Sequence, residues 1–375
     1  MFQLRIITLS LSSAALAMMA STSSFANQEL SRSETDAEGY VSFTLSGSGF
    51  GEGPNVVIFD DFQRAPANTA TPLDRSLIGS WTRRGIYAGI GQIVEEVDGN
   101  RATTLNDPQY RDVQMNATLI KEFESAQNIY ISWSAKTPNQ IFPRANAPYT
   151  FPSGSTFKMT WLVDGYNIQR DGFFDMVLPT HVSGGAIFDG NEFTLEYVSG
   201  FSSWWDFDNW VNISAGLLAG EDPVNDNGVI YFRTSSERHG TAERRSTNRP
   251  IFQAGVTTQF NQIRFHGWSG NGQSCCSWQM YYDNIYVATG PNAFARIDIA
   301  DSPTYSDAKN IVTVPATSWS ESQITFKVHE SMIDTGVPRY VFKIDKDGNY
   351  SETGIPICAD CTVVAPAPPE LASID

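Results

Sequence analysis

From Val41 to Ile344 the chain keeps returning to one short pattern, in which β-branched or aromatic side chains alternate with polar ones. It recurs in "VSFTL", "NVVIF", "NIYISWSA", "FKMTWLV", "NEFTLEYV", "WVNISAGL", "GVIYFRT", "FNQIRFHGW", "WQMYYDNIYVA", "NIVTVPA", "QITFKV" and "RYVFKI". A period of two sends successive side chains to opposite faces of a strand, and the Gly, Asn, Asp, Pro and Ser clusters between the runs are turn formers. No segment sustains the 3.6-residue apolar period of a helix; "TLIKEFESAQ" comes nearest and is short. An all-β, antiparallel, sandwich-rich protein follows.

The ends bear on the compartment. Residues 1–26 carry one cation, Arg5, then an apolar run through Ile6, Leu9, Leu11, Leu16 and Met19, closing on the small residues of "SSFA". That order predicts a secretory signal peptide cleaved near Ala26, with the mature protein in the periplasm or outside the cell. No later apolar run approaches the roughly 20 residues that span a bilayer, so no membrane span is expected. The last residues, 362–375, are Pro- and Ala-rich and are expected to be disordered.

Net charge is −16, and without Arg5 the balance is 24 basic against 41 acidic residues. Such a surface repels polyanions at long range and argues against nucleic acid as a partner. A basic groove can still hold an acidic polysaccharide, because screening confines the global field to about 8 Å. The 9 Trp and 23 Phe are more than enough to fill a core in a chain of this length.

Four cysteines fall in two tight clusters, Cys275 with Cys276 and Cys358 with Cys361. In an exported chain they predict disulfides, and four cysteines allow three pairings. Local pairing rigidifies two loops; cross-pairing staples distant regions.

Two stretches at opposite ends belong together by resemblance. "SWSESQITFKV" and "GVPRYVFKIDKDGNYSETGIPI" resemble the later strands of an IPT/TIG domain, a small immunoglobulin-like module, and "FTLSGSGFGEGP" resembles its first strand and glycine turn. The chain between them, from "FDDF" through "NIYISWSAK", "FKMTWLVDG" and "DNWVNISAGL" to "YYDNIYVA", resembles concanavalin A-like jelly rolls. After the signal peptide at 1–26, the resemblance implies an extension and first immunoglobulin-like strand at 27–55, and a jelly-roll sandwich at 56–290. The rest of the smaller domain follows at 291–361. A domain is open to such an insertion because its termini lie close together. The jelly-roll fold hosts lectins, carbohydrate-binding modules, hydrolases and lyases, so it leaves function open.

The densest chemistry lies in "FNQIRFHGWSGNGQSCCSWQMYYDN". Strand alternation puts Gln262, Arg264, His266 and Trp268 on one face, and Gln279, Tyr281 and Asp283 on one face of the next strand. Such a face suits a sugar: the indole stacks on a pyranose while amide and guanidinium bond its hydroxyls or a carboxylate. Trp204 and Trp205 offer a further aromatic platform, or fill space between sheets. Elimination from a uronic acid needs a base and a neutraliser of the substrate carboxylate, roles that His266 or Tyr281 and Arg264 would take with Gln262 in support. Glycoside hydrolysis needs two flanking acids, and the "E-x-D-x-E" strand of jelly-roll hydrolases is missing. Asp60, Asp61 and Asp283, from the first and last sandwich strands, suit a structural Ca²⁺ or the pairing of strand ends. "DKDGN" at Asp345 reads as a hairpin turn rather than a calcium loop. The basic run "RTSSERHGTAERRSTNRP" reads as a solvated loop, or as one that contacts anionic glycans. The reading that follows is a secreted polysaccharide-binding protein; the alternatives are a lyase acting on a uronic-acid glycan and an adhesion or structural protein.

Overall fold

The computed structural model describes residues 28–86, 93–104, 117–136, 156–163, 173–179, 186–188, 194–197, 206, 208–221, 227–249, 251, 259–269, 281–333, 336–351 and 353–357. Residues 1–26, 362–375, the four cysteines, Trp204, Trp205 and Gln279 lie outside them. In chain order the strands begin with β1 (Glu29–Thr35), β2 (Tyr40–Ser46), β3 (Asn55–Asp60), β4 (Thr69–Ala70), β5 (Arg83–Ile86), β6 (Ile93–Val97), β7 (Asn100–Thr104) and β8 (Ala117–Ala126). They continue with β9 (Ile129–Lys136), β10 (Thr156–Val163), β11 (Phe173–Pro179), β12 (Ala186–Phe188), β13 (Thr194–Tyr197), β14 (Val211–Leu218), β15 (Gly228–Ser236) and β16 (Gly240–Arg249). The remainder are β17 (Phe260–Ser269), β18 (Tyr281–Thr289), β19 (Arg296–Ala300), β20 (Ile311–Val314), β21 (Ala316–Trp319), β22 (Gln323–His329), β23 (Arg339–Ile344) and β24 (Ile355–Ile357). Among the described residues only a 3-10 turn at Tyr305–Asp307 and one helical turn at Glu330–Ile333 interrupt them.

The protein is therefore all-β, and its sheets are antiparallel. A seven-stranded sheet, β13-β12-β11-β10-β17-β8-β5, faces a nine-stranded sheet, β16-β15-β14-β9-β18-β7-β6-β4 with β3 also on β18. Between them lies the largest core, built from alternate residues of each strand: Ile129, Ile131, Trp133 and Ala135 of β9 meet Ile263 and Phe265 of β17. Trp133 and Tyr282 both set an edge against the Phe265 ring. Asp98 and Gly99, both at positive φ, make the two-residue turn joining β6 to β7, as an Asp-Gly pair allows without steric cost.

The strands flanking this sandwich pair with each other. The sheet β1-β2-β22-β21 joins residues near both ends of the described chain, with Phe43 opposite Phe326. It packs on a second four-stranded sheet, β20-β19-β23-β24, over a core that includes Val41, Phe43, Ile297, Ile299 and Phe326. The other face of β19 and β20 meets the outer face of the nine-stranded sheet, where Tyr130, Tyr231, Tyr286 and Phe294 cluster. Four sheets thus stack in sequence, and one internal boundary separates the large unit from the small one. Gly216 on β14 makes close contact possible there, since a Cβ at that position would sit 2.4 Å from the Phe294 ring.

That boundary is held by a polar knot. Asp298 on β19 is fully buried and accepts from Arg233 of the large unit at 2.9 Å, Arg296 at 3.0 Å, Tyr305 at 2.6 Å and Thr313 at 2.6 Å. The Arg296 guanidinium also lies over the Tyr130 ring, 4.3 Å from its centroid. Burial is the strongest single influence on Arg296 and lowers its pKa, but the Asp298 charge together with Tyr130, Tyr231 and Glu243 raises it overall.

One segment differs from the sequence reading. The basic run expected as a loop is a hairpin: Arg233–Ser236 end β15, with Arg233 buried, residues 237–239 turn, and the rest to Arg249 is β16, an edge of the nine-stranded sheet. Both of its faces are polar, so it shows no apolar alternation. Charged side chains on such an edge discourage further strand addition. "TLIKEFESAQ", the nearest approach to a helical period, follows the all-β reading, with Thr118–Ala126 in β8.

Candidate functional site

Two groups of polar side chains lie on opposite sides of the paired nine-stranded and seven-stranded sheets. The first is on the face of the seven-stranded sheet turned away from the core. Ile263 and Phe265 point inward, so Gln262 and Arg264 occupy the opposite face, as alternation requires. The Arg264 Nε donates to Gln262 Oε1, and Gln262 Nε2 donates to Glu122 Oε1 of β8 at 3.1 Å. Both are buried, at 2% and 7% exposure for Gln262 and Arg264. His266 and Trp268 continue the same strand, in register with Thr118 and Lys158, and their side chains lie outside the described residues.

Tyr281 is not with them. The sequence places it on the next strand, but β17 and β18 belong to different sheets, so the chain crosses the sandwich between them. Tyr281 donates to Glu95 Oε2 at 3.1 Å, and its neighbour Tyr282 fills the core. The structure brings Gln262 and Arg264 together and sets Tyr281 on the far side of the core.

The second arrangement is a cleft of about 230 Å³ between the outer face of the nine-stranded sheet and the small unit. Asp61, Asp283, Asn284, Asn212 and Trp210 line it from the large unit, and His329, Asn310 and Arg339 from the small one. Asp61 accepts from the Tyr40 hydroxyl across the boundary at 2.7 Å, and the Tyr40 ring meets His329 edge-on. Asp283 Oδ2 accepts from Asn100 at 2.5 Å, and its Oδ1 from the Asn284 amide at 2.7 Å. Asp60, adjacent in sequence, turns into the sandwich instead. It accepts from Trp81 Nε1 at 2.7 Å, Ser76 Oγ at 3.0 Å and the Phe62 amide at 3.0 Å.

Burial pushes all three carboxyls up. For Asp60 burial is only partly offset by the bonds from Trp81 and Phe62, and the pKa is raised to about 7. Burial again leads for Asp283, followed by the Asp61 charge, and it stands well above the usual carboxylate range. Asp61 is raised by burial against the bond from Tyr40.

One acceptor beside them has no partner. Asn284, at φ +50° where β18 bulges between Asp283 and Tyr286, is 7% exposed and its Oδ1 is unbonded. Ser134 gives its proton to Asn212 Oδ1 at 2.6 Å and so accepts from Asn284 Nδ2 at 3.3 Å, which fixes the amide orientation. Hard oxygen donors of this kind suit a calcium ion, which takes roughly six to eight. Asp61, Asp283 and Asn284 Oδ1 meet that chemistry; Asp60, whose oxygens are already bonded inside the sandwich, does not. Among the described residues no three His, Cys, Asp or Glu side chains group closely enough to cage a metal, so amide oxygens and water would complete the shell. Asn284, Tyr40, His329 and Asn100 were not singled out by sequence reasoning; only the "DN" that follows Tyr282 hints at one of them.

No family model matches the chain, and no curated protein does. Among solved structures, a PL-14 alginate lyase from Aplysia kurodai superposes with a TM-score of 0.40 at 10% identity, over 56% of this chain and 92% of that one. The CBM2 module of an evolved Dit from Lactobacillus casei BL23 phage J-1 gives 0.36 at 11%, over 64% and 97%. Peanut lectin gives 0.33 at 8%, over 55% and 97%.

Proposed function

We propose that the protein is an exported polysaccharide-binding protein, a concanavalin A-like sandwich carried within a split IPT/TIG-like module, with residues 1–26 as its signal peptide. The glycan lies across the outer face of the seven-stranded sheet, over Gln262, Arg264, His266 and Trp268. The observation that supports this most is the joined Gln262, Arg264 and Glu122 side chains on the face opposite the core. Buried polar groups are costly unless paired, and a sheet face meant only for packing would be apolar. A planar amide and a guanidinium held side by side present the donors and acceptors that sugar hydroxyls need.

Calcium is the ion this reading places at the unit boundary, on Asp61, Asp283 and Asn284 Oδ1. There it would neutralise buried carboxylates and hold β3 and β18 together.

The test is retention of the purified mature protein on a panel of neutral and acidic polysaccharides, with Arg264→Gln beside the wild type. Retention weakened about tenfold in the variant supports the site; equal retention moves the glycan elsewhere, and none on any polymer refutes the reading. Ultraviolet absorbance of an unsaturated product, followed in the same incubations, reports elimination directly.

A further inference from the structure

Next to the cleft lies a second hollow, about 460 Å³, whose lining includes Arg64, Arg75, Arg101, His329, Glu38 and Glu96. Its three arginines come from separate places, the turn after β3, the following loop and β7, and each is fixed by a backbone carbonyl. Arg101 Nη1 donates to the carbonyls of Gln63 at 2.6 Å and Ala65 at 2.7 Å. Arg75 Nη1 donates to the Arg64 carbonyl at 3.3 Å, and Arg64 Nη1 to that of Ser76 at 3.0 Å. Arg64 is also neutralised, gripping Glu38 through Nε at 3.0 Å and Nη2 at 3.1 Å. Arg75 and Arg101 have no carboxylate partner among the described residues, and Glu96 is the one acid left to set against both. The hollow is thus locally positive in a chain of net charge −16.

Two oriented guanidiniums that form no ion pair with a carboxylate among the described residues suit a planar or tetrahedral oxyanion, which they bond through paired N–H groups. What carries the anion is indicated by what adjoins it. Gln63 and His329 line both this hollow and the cleft, so the two adjoin. The cleft supplies Trp210 with the amides of Asn212 and Asn310, an aromatic ring among hydroxyl-bonding groups. We propose that the hollow is an anion subsite for the carboxylate or sulfate of an acidic sugar, held between Arg75 and Arg101, with the adjoining sugar lying toward Trp210. This inference rests on the polysaccharide-binding reading and adds to it a second contact region at the unit boundary and a charge class for the glycan.

The experiment is affinity electrophoresis of the wild type, Arg75→Gln, Arg101→Gln and the double variant. The gels carry a polyuronate, its carboxyl-reduced form, a sulfated glucan or the unsulfated glucan. The wild type is expected to be retarded at least tenfold more by one or both charged polymers than by the matching neutral one. Each variant is expected to lose most of that preference, with a shallower salt dependence. The charged polymer that works identifies carboxylate or sulfate as the source of the anion. Charged and neutral forms retarding all four proteins alike would overturn the subsite and leave polysaccharide binding standing. Retention of no polymer overturns both. Should Arg101→Gln fail to fold, Arg75→Gln, exposed and making a single bond, carries the test.

Discussion

Replacing Asp298 by Asn is expected to destabilise the protein more than almost any other single isosteric change. One fully buried carboxylate serves Arg233, Arg296, Tyr305 and Thr313, and the first two bring full positive charges from the two sides of the unit boundary. Asparagine keeps the shape but removes the charge and turns an N–H₂ toward groups that are themselves donors. Breaking a buried ion pair from one side costs about 3–5 kcal/mol, because the partner charge stays buried, and here two guanidiniums are left. Some of that is recovered by rotation of the Tyr305 and Thr313 hydroxyls, so about 3 kcal/mol is the expected loss. Urea unfolding followed by tryptophan fluorescence and far-ultraviolet circular dichroism measures it. Because the knot joins the two units, the probes are expected to separate into two transitions in the variant. Adding Arg296→Met to Asp298→Asn removes one stranded charge and is expected to restore about 1 kcal/mol or more through their coupling. A loss below about 1 kcal/mol, the range of an exposed pair, would refute the view that this network holds the units together.

The buried acids make stability depend on pH in an uncommon direction. A carboxyl whose folded pKa is raised contributes stability that is fully present below its unfolded value and is lost as pH rises through its folded one. For Asp60, shifted from 3.8 to about 7, the loss is on the order of 4 kcal/mol; the raised Asp283 and Asp61 act in the same direction. In metal-free buffer the melting temperature is therefore expected to fall between about pH 4 and pH 7, and Asp283→Asn to flatten the fall; a flat wild-type profile would contradict the burial of these groups. Calcium, if held by Asp61, Asp283 and Asn284, is expected to raise the melting temperature at pH 8 but little at pH 5, where protons compete, and an unchanged melt on chelation would remove it. Gly216→Val, driven into the Phe294 ring, is expected to cost about 1–3 kcal/mol by overpacking, measured by the same urea titration.

How far the sequence discloses this arrangement depends on distance along the chain. Local alternation is enough to place Gln262 and Arg264 on one face with Ile263 and Phe265 on the other, and the structure has them so. It does not say which strand lies beside which. Tyr281 shares a dense stretch of sequence with Arg264, yet the chain changes sheets between β17 and β18, and no local pattern marks that crossing. Strand β16 escaped because its partners are in the ladder with β15 while both its faces are polar. Serines were a second blind spot. Alternation sets Ser132 and Ser134 opposite Ile131 and Trp133 without marking them as buried, yet the fold buries them beside Ser214 and Asn212.

The boundary between units gathers residues that only the complete fold brings together. Tyr40 precedes the long central segment and His329 follows it, and the two flank Asp61 only because β2 pairs with β22. Asp61 and Asp283 come together for a related reason, since β3 and β18, the first and last strands of the large sandwich, are hydrogen-bonded neighbours. A long segment that leaves and re-enters the smaller unit must cross this boundary at both of its ends. The cleft and the arginine hollow lie where those crossings meet, with the Asp298 knot beside them to keep the distance between units fixed. A ligand bridging Arg101 of the large unit and His329 of the small one would therefore meet a preformed gap rather than have to draw two bodies together. Loosening the knot at Asp298 should consequently weaken binding in the groove while leaving the outer face of the seven-stranded sheet unaffected, a difference that Asp298→Asn and Arg264→Gln, compared on the same charged polymer, would expose.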